Sequence, residues 1–182
     1  MRRKKVPTMI QVARLKERIR DVQDFPKKGI VFKDITTLIK DAESLRLVSD
    51  LMVEEAKKYQ IDVVVGIESR GFIFAPIIAS RLGVGFVPVR KKGKLPHKTV
   101  SVTYQLEYGK DSLEIHKDAI NKGEHVLVID DVLATGGTSK SVAKLIRKLG
   151  GVVEAFGFLI ELSFLKGRNK LKNYPVFSLI QY

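Results

Sequence analysis

The run Val126-Leu-Val-Ile-Asp-Asp-Val-Leu-Ala-Thr-Gly-Gly-Thr138 constrains this chain more than any other stretch. An unbroken apolar segment leads into two carboxylates and then into a loop of small residues. Such a segment fits a strand of a parallel sheet, buried on both faces. Residues 139–149 then place Val142, Leu145, Ile146 and Leu149 at helical spacing on one face. The loop Ala134, Thr135, Gly136, Gly137 and Thr138 therefore opens a helix, where unpaired backbone N–H groups and the positive end of the helix dipole favour an anion. The glycines let the backbone come close to that anion, and the two threonines add hydroxyl donors. Asp130 and Asp131 admit two readings. They cap the helix beside a tight turn, or they hold a further ligand, because two acids are a poor choice beside a bare phosphate. Ribose hydroxyls or a hydrated divalent cation suit the second reading. The loop is neither a Walker A loop, which needs Gly-Lys-[Ser/Thr], nor a Gly-x-Gly-x-x-Gly fingerprint.

The length of 182 residues suits one domain with a real core, and an apolar fraction of 45% supports a globular chain. The absence of cysteine excludes a disulfide framework and a thiol nucleophile, and fits a reducing compartment. His97, His116 and His125 are too scattered for a ligand cluster. Met-Arg-Arg-Lys-Lys at the start lacks the apolar core of a secretory signal, so a cytoplasmic location is expected. Residues 71–89 are the most apolar stretch, but Pro76, Arg81, Gly83, Gly85 and Pro88 interrupt it, which argues against a membrane span. The net charge of +13 suits a polyanionic substrate, a nucleic acid or a membrane surface. Its even spread favours a solvated surface, so no nucleic-acid or membrane partner is expected.

Periodicity predicts an amphipathic helix over 11–22, a loop over 24–35, and a second helix over 42–59. A strand over 62–66, a helix over 74–82 and a strand over 85–89 follow. Residues 100–106 and 112–115 alternate as a hairpin with little apolar mass, expected to be a mobile lid. Strand 126–129, its helix, and strands 153–159 and 176–180 complete an α/β alternation with a mostly parallel central sheet flanked by helices.

Ile67-Glu-Ser-Arg-Gly71 is a second junction of a buried strand with a helix through small and polar residues. Arg70 alone reads as a surface ion-pair partner more often than as a ligand. Beside another anion site its bidentate donors suit a pyrophosphate. A ligand with phosphate at one end and pyrophosphate at the other needs both loops, and phosphoribosyl pyrophosphate (PRPP) is such a molecule.

The run 130–138 resembles the PRPP motif of the type I phosphoribosyltransferases. The segments 29–35, 68–72, 89–96, 106–109, 113–118 and 130–138 are similar, in order and spacing, to the adenine phosphoribosyltransferase family, and the resemblance covers residues 24–182. It implies the type I phosphoribosyltransferase fold with a flexible β-hairpin lid at about 90–117, a base-binding region within 11–37, a homodimer, and Mg²⁺ as cofactor. It implies that adenine and PRPP give AMP and pyrophosphate. By position, Asp130 and Asp131 serve the ribose hydroxyls and reach Mg²⁺ through water, the metal being held mainly by PRPP. Ala134 to Thr138 take the 5′-phosphate. Ser69 and Arg70 take the pyrophosphate, after a peptide that is often cis in the family, and Arg90, Lys91 and Lys94 add positive charge there. Val31, Phe32, Lys33 and Val132 bind adenine. Phe32 stacks on the base, the Val31 carbonyl accepts from the exocyclic amine, and the Lys33 N–H donates to ring N1. Many relatives carry Arg at the position of Lys33, a swap of little consequence for a backbone contact.

Breaking the anomeric bond builds oxocarbenium character, so the protein has mainly to hold the ends, neutralise the leaving group and exclude water. Glu107 on the lid is the candidate to accept a proton near adenine N7, with Arg70 at the leaving group. The alternatives are a 6-oxopurine transferase and a PRPP-sensing regulator. The regulator is expected to carry a DNA-binding domain ahead of residue 24.

Overall fold

The alternation of apolar runs and amphipathic stretches becomes a parallel sheet covered on both faces. The computed structural model describes residues 9–105 and 110–182. In chain order the strands are β1 (Arg20–Gln23), β2 (Val31–Asp34), β3 (Val63–Ile67), β4 (Gly85–Lys91), β5 (Thr99–Gln105), β6 (Lys110–His116), β7 (His125–Leu133), β8 (Val152–Glu161) and β9 (Val176–Gln181). The helices are α1 (Met9–Glu17), α2 (Thr36–Lys40), α3 (Ala42–Ala56), α4 (Gly71–Leu82) and α5 (Gly137–Leu149), with 3-10 turns at Ser163–Leu165 and Gly167–Leu171. Seven strands form one sheet in the order β5-β6-β4-β3-β7-β8-β9. The stretch from β4 to β9 is parallel, and β6 and β5 extend it antiparallel at one edge. β1 and β2 form a separate antiparallel ribbon.

Side-chain alternation along the central strands feeds two cores. Val64 of β3 with Leu127 and Ile129 of β7 pack against α1 to α4 on one face. Val63, Val65 and Ile67 with Val126 and Val128 pack against α5 and the β6 side of the sheet on the other. Both faces are dry, which is why these strands read as unbroken apolar runs rather than as alternation. Each such side chain contributes about 1.5 to 3 kcal/mol on burial.

Several local expectations are corrected. The first helix ends at Glu17, and Arg20 to Gln23 form a strand, because β2 offers a paired edge and Arg20 reaches Asp34 across it at 2.8 Å. The expected loop over 24–35 therefore contains strand β2. The second helix begins with Asp41 accepting from the Ser44 N–H at 3.0 Å and ends at Ala56. β7 runs on through Asp130 and Asp131 to Leu133, since β8 keeps pairing with it as far as Glu161. The hairpin of β5 and β6 is not light: Leu113 and Ile115 are fully buried and β6 is bonded to β4. Its base belongs to the sheet, and its tip at 106–109 lies outside the described residues. Among the described residues no helix is long and apolar enough to cross a membrane.

Candidate active site

β3 and β7 are parallel neighbours, with Gly66 opposite Ile129, so both loops expected to hold anions leave the same edge of the sheet. From β3 the chain crosses to β4 on one side, and from β7 to β8 on the other. This reversal opens a crevice at the carboxyl ends of the strands, the usual ligand position in open α/β sheets.

The loop after β3 is built from side chains. The Glu68–Ser69 peptide is cis. Glu68 is nearly buried, and its carboxylate gathers the Lys94 ammonium at 2.8 Å, the Lys91 backbone N–H at 2.9 Å and the Arg90 guanidinium at 3.3 Å. Burial pushes its pKa upward, but these donors together outweigh that and hold it at about 2. Arg90 also donates to the Lys94 carbonyl, so it braces the β4–β5 loop from behind. Lys91 and Lys94 line the crevice; Arg90 does not.

Arg70 points across to β7. Its Nε lies 2.8 Å from Asp131 Oδ2, while that buried oxygen has no aligned hydrogen-bond donor; the contact is an ion pair without hydrogen-bond geometry. Burial, then the adjacent Asp131 charge, pushes the Asp130 carboxyl well above the usual range. Asp131 is raised too, again by burial, with Arg70 opposing the shift. The two adjacent acids are thus unequal in their partners: Arg70 pairs with Asp131 and not with Asp130. Among the described residues no cluster of three or more His, Cys, Asp or Glu could hold a metal.

The loop after β7 is built from backbone. Gly136 caps α5 with φ +74°, no side chain caps this end, and the first turn carries no acid. Its conformation is one that L side chains avoid, and a Cβ there would stand 2.4 Å from the Gly167 carbonyl oxygen. A Cβ on Gly167 would in turn stand 2.1 Å from the Ala134 carbonyl oxygen. The 3-10 turn at Gly167–Leu171 therefore props the loop, which no local motif announces. Thr135, Gly137 and Thr138 line a cavity of about 1060 Å³. Tyr104 of β5 lines it too, with its hydroxyl facing Thr138 and Asp111; burial raises its pKa, so it stays a donor. Nothing in the sequence singled out Tyr104.

The β1–β2 ribbon forms the third wall. The Phe32 ring meets Phe25 edge-on at 5.2 Å and lies 5.0 Å from the Arg70 guanidinium, tying the ribbon to the first loop. Lys33 turns its ammonium away, to Asp21 at 2.7 Å and over the Tyr182 ring at 4.0 Å. Along one strand the Val31 carbonyl and the Lys33 N–H point to the same edge, as a paired acceptor and donor. Val31, Phe32, Lys33, Ser69, Arg70, Asp130, Asp131, Val132, Ala134 and Thr138 all line one cavity of about 710 Å³, which adjoins the larger one through Val31, Lys33 and Thr138. Glu107 lies outside the described residues.

This architecture, with two strand-to-helix loops meeting in one crevice, sets the class: residues 36–159 match the family model described as "Phosphoribosyl transferase domain". A relative in Clostridium perfringens, an adenine phosphoribosyltransferase, is 62% identical over 92% of this chain and 98% of its own length. The crystal structure of adenine phosphoribosyltransferase from Thermoanaerobacter pseudethanolicus superposes with a TM-score of 0.92 at 51% identity, covering 94% of this chain and 99% of that one. The Saccharomyces cerevisiae enzyme, solved with adenine and an imino-altritol bisphosphate, superposes with a TM-score of 0.89 at 43% identity, covering 94% and 99%. The chain belongs to the adenine phosphoribosyltransferase family, with the type I phosphoribosyltransferase fold.

Proposed function

We propose that the protein transfers the 5-phosphoribosyl group from PRPP to adenine, giving AMP and pyrophosphate. The observation that carries this reading is the joining of two anion loops, a carboxylate pair and an aromatic ribbon in one crevice. Ala134 to Thr138 hold the 5′-phosphate at the α5 N-terminus. Ser69, Arg70, Lys91 and Lys94 hold the pyrophosphate. The anomeric carbon then lies over Asp130 and Asp131, whose carboxylates accept from the ribose hydroxyls.

As the bond to pyrophosphate breaks, negative charge grows on the leaving group, where Arg70 and the lysines meet it. Arg90 acts through Lys94 and Glu68 by keeping the β4–β5 loop in place. Adenine stacks on Phe32, with Val132 beside it. The Val31 carbonyl accepts from the exocyclic amine and the Lys33 N–H donates to N1. A 6-oxopurine presents an oxygen and an N1–H instead, and each mismatched buried contact costs about 1 to 3 kcal/mol.

Mg²⁺ fits the site as a cation carried by the substrate, because the Asp130 and Asp131 carboxyls line the crevice and would reach it through water. It would supply charge neutralisation at the pyrophosphate. Glu107 accepts the proton near N7. The active form is a homodimer.

Incubation with PRPP, Mg²⁺ and each of adenine, hypoxanthine, guanine and xanthine should yield a nucleotide with adenine alone. Nucleotide formation preferring hypoxanthine, or PRPP binding with no pyrophosphate released, would overturn the reading. Glu107→Leu should lower turnover by about 10² to 10⁴ while PRPP affinity, measured by calorimetry, holds. A variant within about threefold of the parent removes Glu107 from the chemistry.

A further inference from the structure

We propose that Lys170, on the 3-10 turn behind the loop that follows β7, is a further binding residue for the 5′-phosphate. This rests on the reading that residues 134–138 hold that phosphate. The turn is fixed to the loop by backbone contact, since neither Gly136 nor Gly167 leaves room for a side chain between them. Leu171, the next residue, is fully buried, so the backbone carrying Lys170 is anchored on both sides. The Lys170 Nζ stands 4.0 Å from where a Cβ on Gly137 would be, and the side chain lines the same cavity as Thr135 and Thr138.

The charge balance points the same way. Arg168, two residues earlier, is spent on Glu161, with Nε at 2.9 Å from Oε1, and on the Val176 carbonyl. Lys170 has no ion pair or hydrogen bond among the described residues. The loop supplies N–H groups and hydroxyls but no formal charge, and the first turn of α5 carries no acid. A phosphate monoester carries close to two negative charges at neutral pH, so an ammonium at its edge is what such a loop lacks. The side chain is exposed, which keeps solvent screening high and the effect moderate.

The test compares AMP with adenosine, which differ only in the 5′-phosphate, by calorimetry on the parent, Lys170→Gln and Lys170→Arg. The parent should bind AMP more tightly than adenosine. Lys170→Gln should weaken AMP about 5- to 20-fold, leave adenosine unchanged and keep the thermal midpoint, and Lys170→Arg should restore most of the loss. Should Lys170→Gln bind AMP within twofold of a parent that prefers AMP, or lose AMP and adenosine equally, Lys170 is no phosphate ligand while the loop reading stands. A parent that fails to prefer AMP removes the loop reading itself, and this inference with it.

Discussion

After β3 the chain lines the crevice with Arg70, joined by Lys91 and Lys94 beside Glu68; after β7 it does so with the loop 134–138, which carries no charged side chain. The first is a set of charges caged by other charges, Glu68 holding Arg90 and Lys94, and Asp131 holding Arg70. The second is a backbone shape held by a neighbouring backbone at Gly167. A backbone site gains its field from the helix end and tolerates no added atom. A side-chain site can be retuned by pH and by removing one partner. The two should therefore fail differently.

The largest effect is expected at the backbone loop. Gly136→Val puts a β-branched side chain at φ +74° against the Gly167 carbonyl, so destabilisation should reach about 2 to 5 kcal/mol in denaturant melts, with 5′-phosphate binding lost as well. A stable variant that had lost only the phosphate would mean that the loop is shaped by its ligand and not by Gly167.

The acid pair should show the reverse sign. Asp130→Asn with Asp131→Asn should lower turnover about 100-fold or more, and Asp130→Asn alone should raise stability at neutral pH. The folded pKa of Asp130 lies well above its ordinary 3.8, so the parent loses stability as pH rises from about 4 through that raised value. The gain from Asn should accordingly be absent near pH 4 and grow above it. Each 1 kcal/mol moves the melting midpoint by about 2 to 4 °C in a chain of this size. A gain independent of pH would place its origin in packing.

Glu68→Gln should cost about 1 to 2 kcal/mol and weaken pyrophosphate binding, because Lys94 and Arg90 lose the anchor that orders them. Here the folded pKa of about 2 lies below the ordinary 4.5, so the carboxylate stabilises fully above pH 4.5 and the difference between parent and variant should fade toward pH 2. Acid melts on both forms check this. Tighter pyrophosphate binding in the variant would show instead that Glu68 competes for the cations.

Lys33→Arg should do least, within about twofold in adenine KM and about 0.5 kcal/mol in stability. Its ammonium already faces Asp21 and Tyr182, so only the backbone is left for the base. A tenfold rise in KM would show the side chain turning inward.

What was legible in the chain was whatever lies in consecutive residues. The apolar run into 134–138 and the helix after it specified a strand, a glycine loop and a helix, because hydrophobic period and glycine content act within a few residues. The alternation of such units specified the parallel sheet. The β1–β2 ribbon was missed because residues 20–23 continue the apolar spacing of α1, and only pairing with β2 turns them into a strand. The hairpin reads as light in sequence because its apolar residues count only once β4 and α5 cover them. Glu68 lies more than twenty positions from Arg90 and Lys94, and Gly136 more than thirty from Gly167, so no local pattern links them. Their meeting, the unequal acids and the placing of Lys170 depend on strand order and on what each group is buried against. Charge and burial are properties of the surroundings, and the surroundings exist only once the chain has folded.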